Sequence, residues 1–537
     1  MSLYKSPGVY VEEIQTGVRP IGGVQSSTDR VFGPIALCLS GGGYRAAAFH
    51  LGTLSYLERV GLLKDVSILS TVSGGTIVGM KYALSTQEGI SFNDFYNDFY
   101  GFLRDVNLNK LSLQRLGNPN KNTFLDYRDL ITAFATVYDG RLLNGKRFGV
   151  FWDGKPNHLK EIIFNATEFR TGIAFRFQKS LNPSAKIGNG NISLLVETAK
   201  LIRLADIAAA SSCFPGGFEP IAFPNDFEWP DNRIPDELQE FVQHPIPMMD
   251  GGIFDNQGID SVILAINHDD KEIGAFFISD TDPSPDDLFP YPNEPRTSGM
   301  TLLMLNIVSI LVMIVLGLSV AATIVEHIFF TASDLILQIL LYTIPGLLTL
   351  AILIFFAVVR MKIKESVMEK VPRVQTSVVW EDLKKLKISQ VVGLVDLRLK
   401  SLYALTSRIF MKRIRGMVYK EVFQDERFEK KRISNLIYDL LRTQKHPVSQ
   451  VLIPSDKLVS VAKIAADMPT TLWFNSDSEE KSLVASGQFT TCYNLLEFIY
   501  RYHMMDGKPN SPGVKMIYDQ TLSDWKNFQE EPFFYVD

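Results

Sequence analysis

Twice in quick succession the chain takes the same course: an apolar stretch, a cluster of glycines, then a helical pattern. The two segments are "LCLSGGGYRAAAFHLGTL" (Leu37–Leu54) and "SILSTVSGGTIVGMKYAL" (Ser67–Leu84). A short apolar run closed by glycine reads as a buried strand, and the apolar spacing that follows reads as a helix. Apolar runs alternating with helical stretches are the pattern of an α/β domain. The alternation continues through "VSILSTVS" and "EIGAFFISD", so residues from about 34 to 290 are expected to form an α/β domain.

The chain has 537 residues, enough for more than one domain, and its 46% hydrophobic and 21% charged content is that of a folded protein. A net charge of −5 gives no reason to expect nucleic acid as a partner. Cys38, Cys213 and Cys492 are far apart and odd in number, which fits neither a disulfide framework nor a CxxC metal pattern and suits a reducing compartment. The opening "MSLYKSPGVYVEEIQTG" has no apolar core of the kind a secretory signal carries.

Two runs without a charged residue, Met300–Val325 and Leu335–Val359, dominate the middle of the chain. Each is long enough to cross a hydrocarbon core of roughly 30 Å. They are expected to form a transmembrane hairpin over 300–359, bent at Pro345-Gly346; a pair of buried core helices is the alternative. The link carries Glu326, His327 and Asp334, whereas Arg360, Lys362 and Lys364 follow the second run. The positive-inside rule then places the soluble parts on the cytoplasmic side. Before the hairpin, "DTDPSPDDLFPYPNEPRTSG" reads as a solvated connector, since its acidic residues match no calcium loop. After it, residues 360–537 are expected to be mostly helical. "RLKSLYALTSRIFMKRIRGMVYKEVF" (Arg398–Phe423) interleaves cations with apolar residues at helical spacing, as for either a lipid-facing helix or an ordinary solvated face.

The glycines at Gly41–Gly43 do not cradle a nucleotide. No Lys-Ser/Thr pair follows them as a phosphate loop requires, and "GGGYRA" lacks the third glycine of a dinucleotide fingerprint. Around Ser73 the layout is that of a nucleophile elbow, a serine on a tight strand-to-helix turn, with Thr71 standing where G-x-S-x-G has its first glycine. A serine needs a base. Of seven histidines (His50, His158, His244, His268, His327, His446 and His503) none is framed for that task. Asp250 is better framed: it ends an apolar run and is followed by Gly251 and Gly252. A carboxylate held near the hydroxyl and partly desolvated can serve as general base.

The glycine triplet with Arg45, the elbow serine and the "DGG" in that order resemble the patatin-like phospholipase family. "LADIAAASSCFPGGFEPIAF" (Leu204–Phe223) is similar to the family's segment before its aspartate, and "DGGIFDNQG" to its D-G-G…N-x-P, with Gly258 replacing the proline. The resemblance covers about 34–280 and implies a three-layer α/β/α domain that hydrolyses lipid acyl esters through a Ser73–Asp250 dyad and an acyl-enzyme. It implies oxyanion donors among Gly41, Gly42, Gly43 and Gly74, supporting roles for Arg45, Gly75, Gly251 and Gly252, and no metal or cofactor. Membrane phospholipid would be the substrate, cleaved by a membrane-anchored enzyme; a catalytically silent membrane scaffold is the rival. Residues 1–33 resemble the N-terminal arm of contractile tail sheath proteins, on "PGVYVEEI" and "RPIGGVQSST". That likeness implies sheath subunits as partners and the enzyme as cargo of an injection particle, or a fusion remnant.

Overall fold

The computed structural model describes residues 30–117, 129–269, 271–281, 301–329, 385–405, 409–442, 450–505 and 507–536, with a few positions between 346 and 358. These fall into two compact units, one drawn from residues before 288 and from 405 onward, the other from 288–404.

In the larger unit, ten strands make one sheet among the described residues. They are β1 (Ile35–Leu39), β2 (Val66–Val72), β3 (Glu161–Glu168), β4 (Ile173–Lys179), β5 (Ile187–Gly188), β6 (Ser193–Leu194), β7 (Ile221–Phe223), β8 (Ile246–Asp250), β9 (Ala275–Asp280) and β10 (Arg432–Leu436). The order is β10-β9-β1-β2-β3-β4-β5-β6, with β8 paired to β3 and β7 to β8. Pairing is parallel from β10 to β3 and antiparallel beyond. The helices that matter here are α1 (Gly43–Arg59), α2 (Gly74–Glu88), α3 (Leu204–Ser212), α4 (Gly252–Asp255), α5 (Ile259–Asp269), α6 (Leu302–Phe329), α7 (Phe410–Gln424) and α8 (Asp477–Tyr502).

Strand β1 shows why the segment reads as one apolar run. All five residues are buried, as in a parallel strand covered on both faces. Ile35, Leu37 and Leu39 enter the core that holds side chains of α1, α2 and α8. Ala36 and Cys38 point the other way, into a second core with Ile259, Val262 and Ile266 of α5 and Val422 of α7. The sheet thus lies between two helical layers, as expected for an α/β/α arrangement.

Residues after 405 build this unit from both sides. Strand β10 pairs with β9, and α8 crosses α1 at Gly52 and Gly487. A Cβ on Gly52 would overlap the Val484 carbonyl and come within 2.9 Å of the Gly487 Cα. Overfilling a close-packed contact costs about 1–3 kcal/mol, sometimes more. Gly52→Val is therefore expected to lower stability by about 3 kcal/mol, measured as the urea midpoint by circular dichroism. A midpoint equal to that of the unmodified protein would mean the helices separate easily.

The smaller unit differs from expectation. The first charge-free run is helical as α6, 28 residues long, and Met304, Leu311, Val315, Leu318 and Ile328 on it are more than half exposed. Side chains at several α6 positions, and most of Leu335–Val359, lie outside the described residues. Among those described, no helix is long and apolar enough to cross a membrane. The expected two-helix transmembrane hairpin is accordingly not found. The Asp280–Gly299 connector beyond Thr281 and residues 1–29 of the sheath-like arm also fall outside the described residues.

Candidate active site

Sheet register places the elbow serine beside the aspartate. Strand β2 runs parallel to β3 and ends with Val72 opposite Asn165. Strand β8 runs antiparallel along the same strand and ends with Asp250 opposite Ala166. Two strands approaching from opposite directions therefore stop one residue apart on β3. The next residue after β2 is Ser73, so its hydroxyl stands near the Asp250 carboxylate, whose pKa it pulls down.

Ser73 has φ 51° and ψ −119°, a conformation that side chains rarely adopt. The turn is held from several directions. The Ser73 N–H donates to Ser211 Oγ at 3.0 Å, and its carbonyl accepts from Thr76 N–H at 2.8 Å in the first turn of α2. Ser211, on α3, donates to the Asn165 carbonyl at 2.6 Å and lies 2.8 Å from Thr76 Oγ1. Thr76 Oγ1 is in turn 2.9 Å from Thr71 Oγ1. The departure at Thr71 is thus built into a buried hydroxyl chain. The residue that makes room for it is Gly79, where a Cβ would stand 2.5 Å from Thr71 Cγ2; Gly75 instead faces the Leu39 and Ser40 carbonyls.

Asp250 is 4% exposed. One carboxylate oxygen accepts the Gly252 N–H at 2.7 Å, which fixes the group's rotation. Burial raises its pKa to about 6, against the opposing pull of the Ser73 hydroxyl and the Gly252 N–H. Gly251 lies tight against the Asn165 carbonyl: a Cβ there would come within 2.5 Å of the oxygen and 2.8 Å of the carbon. No described histidine bonds to Ser73. His50 is buried between Ser279 Oγ and the Ser40 carbonyl, at 2.9 and 3.0 Å, and burial lowers its pKa to about 4. His158 meets Tyr82, and His244 is exposed after a short helix.

The glycines divide by role. Gly41 N–H already donates to the Asn256 carbonyl at 3.0 Å, so it has no proton to offer an oxyanion. Gly42 and Gly43 have φ 146° and 59°, a bend open to glycine. Gly43 begins α1 and Gly74 begins α2, positions whose N–H groups have no carbonyl within their own helix. The two helix starts touch: a Cβ on Gly74 would overlap the Gly43 carbonyl oxygen and lie 2.7 Å from its nitrogen. Two positive helix ends thus meet beside Ser73. Arg45 is buried and donates to the Met468 carbonyl at 2.9 Å, tying the start of α1 to the C-terminal segment. Its pKa is lowered to about 10 by burial and by nearby Arg415.

Residues 37–263 match the model of the patatin-like phospholipase family. This stretch is a patatin-like domain. Such a domain supports a lipid acyl hydrolase enzyme. The match does not extend to the sheath-like arm, and no curated protein matches the chain. Gly258, which replaces the family's proline, sits at φ 73°, where a proline ring cannot follow. Asn165, Ser211 and Gly79 escaped sequence reading, although Ser211 and Gly79 both stood inside quoted segments. Among the described residues no cluster of side chains is suited to hold a metal. A cavity whose lining includes Glu161, Arg176, His268 and Lys271 lies near the other end of β3 and includes neither Ser73 nor Asp250.

Proposed function

We propose that Ser73 and Asp250 form a catalytic dyad that cleaves ester bonds of membrane phospholipids. The observation that carries this is the convergence of the two residues at the meeting point of β2 and β8, with the Asp250 carboxyl pKa raised by burial. Ser73 Oγ attacks the ester carbonyl as its proton passes to Asp250. The N–H groups of Gly42, Gly43 and Gly74 stabilise the resulting oxyanion. Collapse expels the lysolipid alkoxide, which takes the proton from Asp250 and leaves an acyl group on Ser73. Water then attacks, giving its proton to Asp250, and fatty acid leaves as Ser73 Oγ recovers that proton. Thr71, in place of the first glycine of G-x-S-x-G, is the feature that favours a silent scaffold, but Gly79 leaves its side chain room.

Mass spectrometry of mixed phospholipid liposomes incubated with the protein tests the reading. Free fatty acid and lysolipid are the expected products, and their absence with folded protein overturns it. Membrane contact belongs to the same proposal. It is supported by the exposed apolar side chains along α6, which water would leave unfavourably solvated.

The base must be ionised to accept a proton. Because its pKa is raised from 3.8 to about 6, activity is expected to be full above about pH 7 and to fall tenfold per pH unit below about 6. Measuring kcat/KM for a soluble short-chain ester across pH checks this. A midpoint near the ordinary carboxylate value would place Asp250 in solvent contact.

A further inference from the structure

Helix α7 has two faces with different work. Val422 lies in the second core and Val418 and Tyr419 pack against it. Arg415, on the same face, is buried and pairs with Asp280 at 3.1 Å, and Tyr419 donates to the same carboxylate at 3.3 Å. Asp280 ends β9. The next residue, Thr281, donates from Oγ1 to the Gly41 carbonyl at 3.2 Å. The inward face of α7 is therefore seated within two residues of the glycine loop, and the helix also packs on α4 directly after Asp250.

The outward face carries Phe410, Arg413, Met417 and Lys420, at the spacing that lines one side of a helix. Phe410 and Met417 are 54% and 58% exposed. Arg413 and Lys420 are exposed too, and neither makes an ion pair among the described residues. The chain as a whole is acidic, at net −5, so this concentration of cations among large apolar side chains is local. Within α7 the one acidic residue is Glu421, which is exposed.

We propose that this face of α7 docks on an anionic lipid surface, with Phe410 and Met417 entering the headgroup region while Arg413 and Lys420 meet lipid phosphates. Rings and thioethers suit that depth, and cations beside them suit negative headgroups. The proposal rests on the lipid-hydrolase reading for its biological sense: docking through α7 sets the lipid beside the loops that carry Asp250 and the oxyanion glycines.

All three native cysteines are buried, so Met417→Cys in the full chain accepts a single environment-sensitive fluorophore. With Ser73→Ala in the background, lipid stays intact during the measurement. Phosphatidylcholine vesicles containing phosphatidylglycerol are expected to raise the emission and shift it to the blue, and pure phosphatidylcholine vesicles to do far less. Adding Arg413→Glu and Lys420→Glu is expected to weaken the response about twentyfold or more, on about fivefold per cation at the surface. An unchanged signal with anionic vesicles, or one indifferent to both charge reversals, overturns the proposal. A shift on adding unlabelled protein without vesicles does so as well, by assigning the face to self-association. The label reports docking and not turnover, so loss of the dyad reading leaves this result standing, and the reverse holds. The charge-reversed enzyme with native Ser73 keeps its rate on a soluble short-chain ester and loses it on anionic liposomes.

Discussion

Ser73→Ala is expected to lower fatty acid release by about a thousandfold or more, as removing a catalytic nucleophile does elsewhere. The side chain is 8% exposed, so the substitution takes away the attacking oxygen with little packing volume. The backbone bonds that hold the elbow use the Ser73 N–H and carbonyl, which alanine retains. The thermal midpoint should therefore change little while activity disappears. Asp250→Asn should have an effect of the same order, since an amide can still accept the Gly252 N–H but takes no proton at pH 7. Residues acting as one unit are not additive. The double variant is thus expected to be no slower than the worse single one, read by mass spectrometry on the same liposomes. Release that persists in Ser73→Ala removes the assignment; a double variant slower by the product of the two effects means the residues act separately.

The core strands were legible because they are apolar on both faces and end at glycines. Leu37–Leu39 and Ile68–Val72 needed no tertiary information to be read as strands, and both are. Ser73 announced itself by the abrupt change from strand to helix pattern. What stayed hidden depends on register. Nothing in "FNATE" says that Asn165 faces the end of β2 or that Ala166 faces Asp250, because strand pairing across ninety residues is set by the whole sheet. Gly79 was hidden for a related reason: its role is the space it leaves for Thr71, eight residues earlier, which appears only once α2 packs back on β2.

The charge-free runs show the opposite error. Composition alone favours a bilayer for Met300–Val325, and that run is helical as α6, yet no helix among the described residues is long and apolar enough to cross a membrane, and most of the second run lies outside them. The cations of Arg398–Phe423 were equally ambiguous in sequence. Structure separates them: Arg415 turns inward to Asp280, whereas Arg413 and Lys420 stay outside. One helix thus spends a cation on holding the site and presents others to its surroundings.

Gly74→Ala carries the second large expected effect. Its Cβ would overlap the Gly43 carbonyl, so the starts of α1 and α2 must move apart. Those starts hold the N–H groups assigned to the oxyanion, and removing one such donor costs about a hundred- to a thousandfold in kcat. Since the new methyl group displaces the donors without touching Ser73 Oγ or Asp250, the pH midpoint near 6 should persist while kcat falls by about a hundredfold. Gly101→Ala is the matched control, because a Cβ there meets nothing within 4 Å in a helix interior; it should be neutral or stabilising by up to about 1 kcal/mol. Thermal midpoints of both variants separate a displaced loop from a misfolded chain. A folded Gly74→Ala enzyme with full kcat would move the oxyanion site away from the junction of the two helices. Retained folding with lost kcat and an unmoved pH midpoint would leave the paired helix starts as the group that stabilises charge, and the dyad as the group that moves the proton.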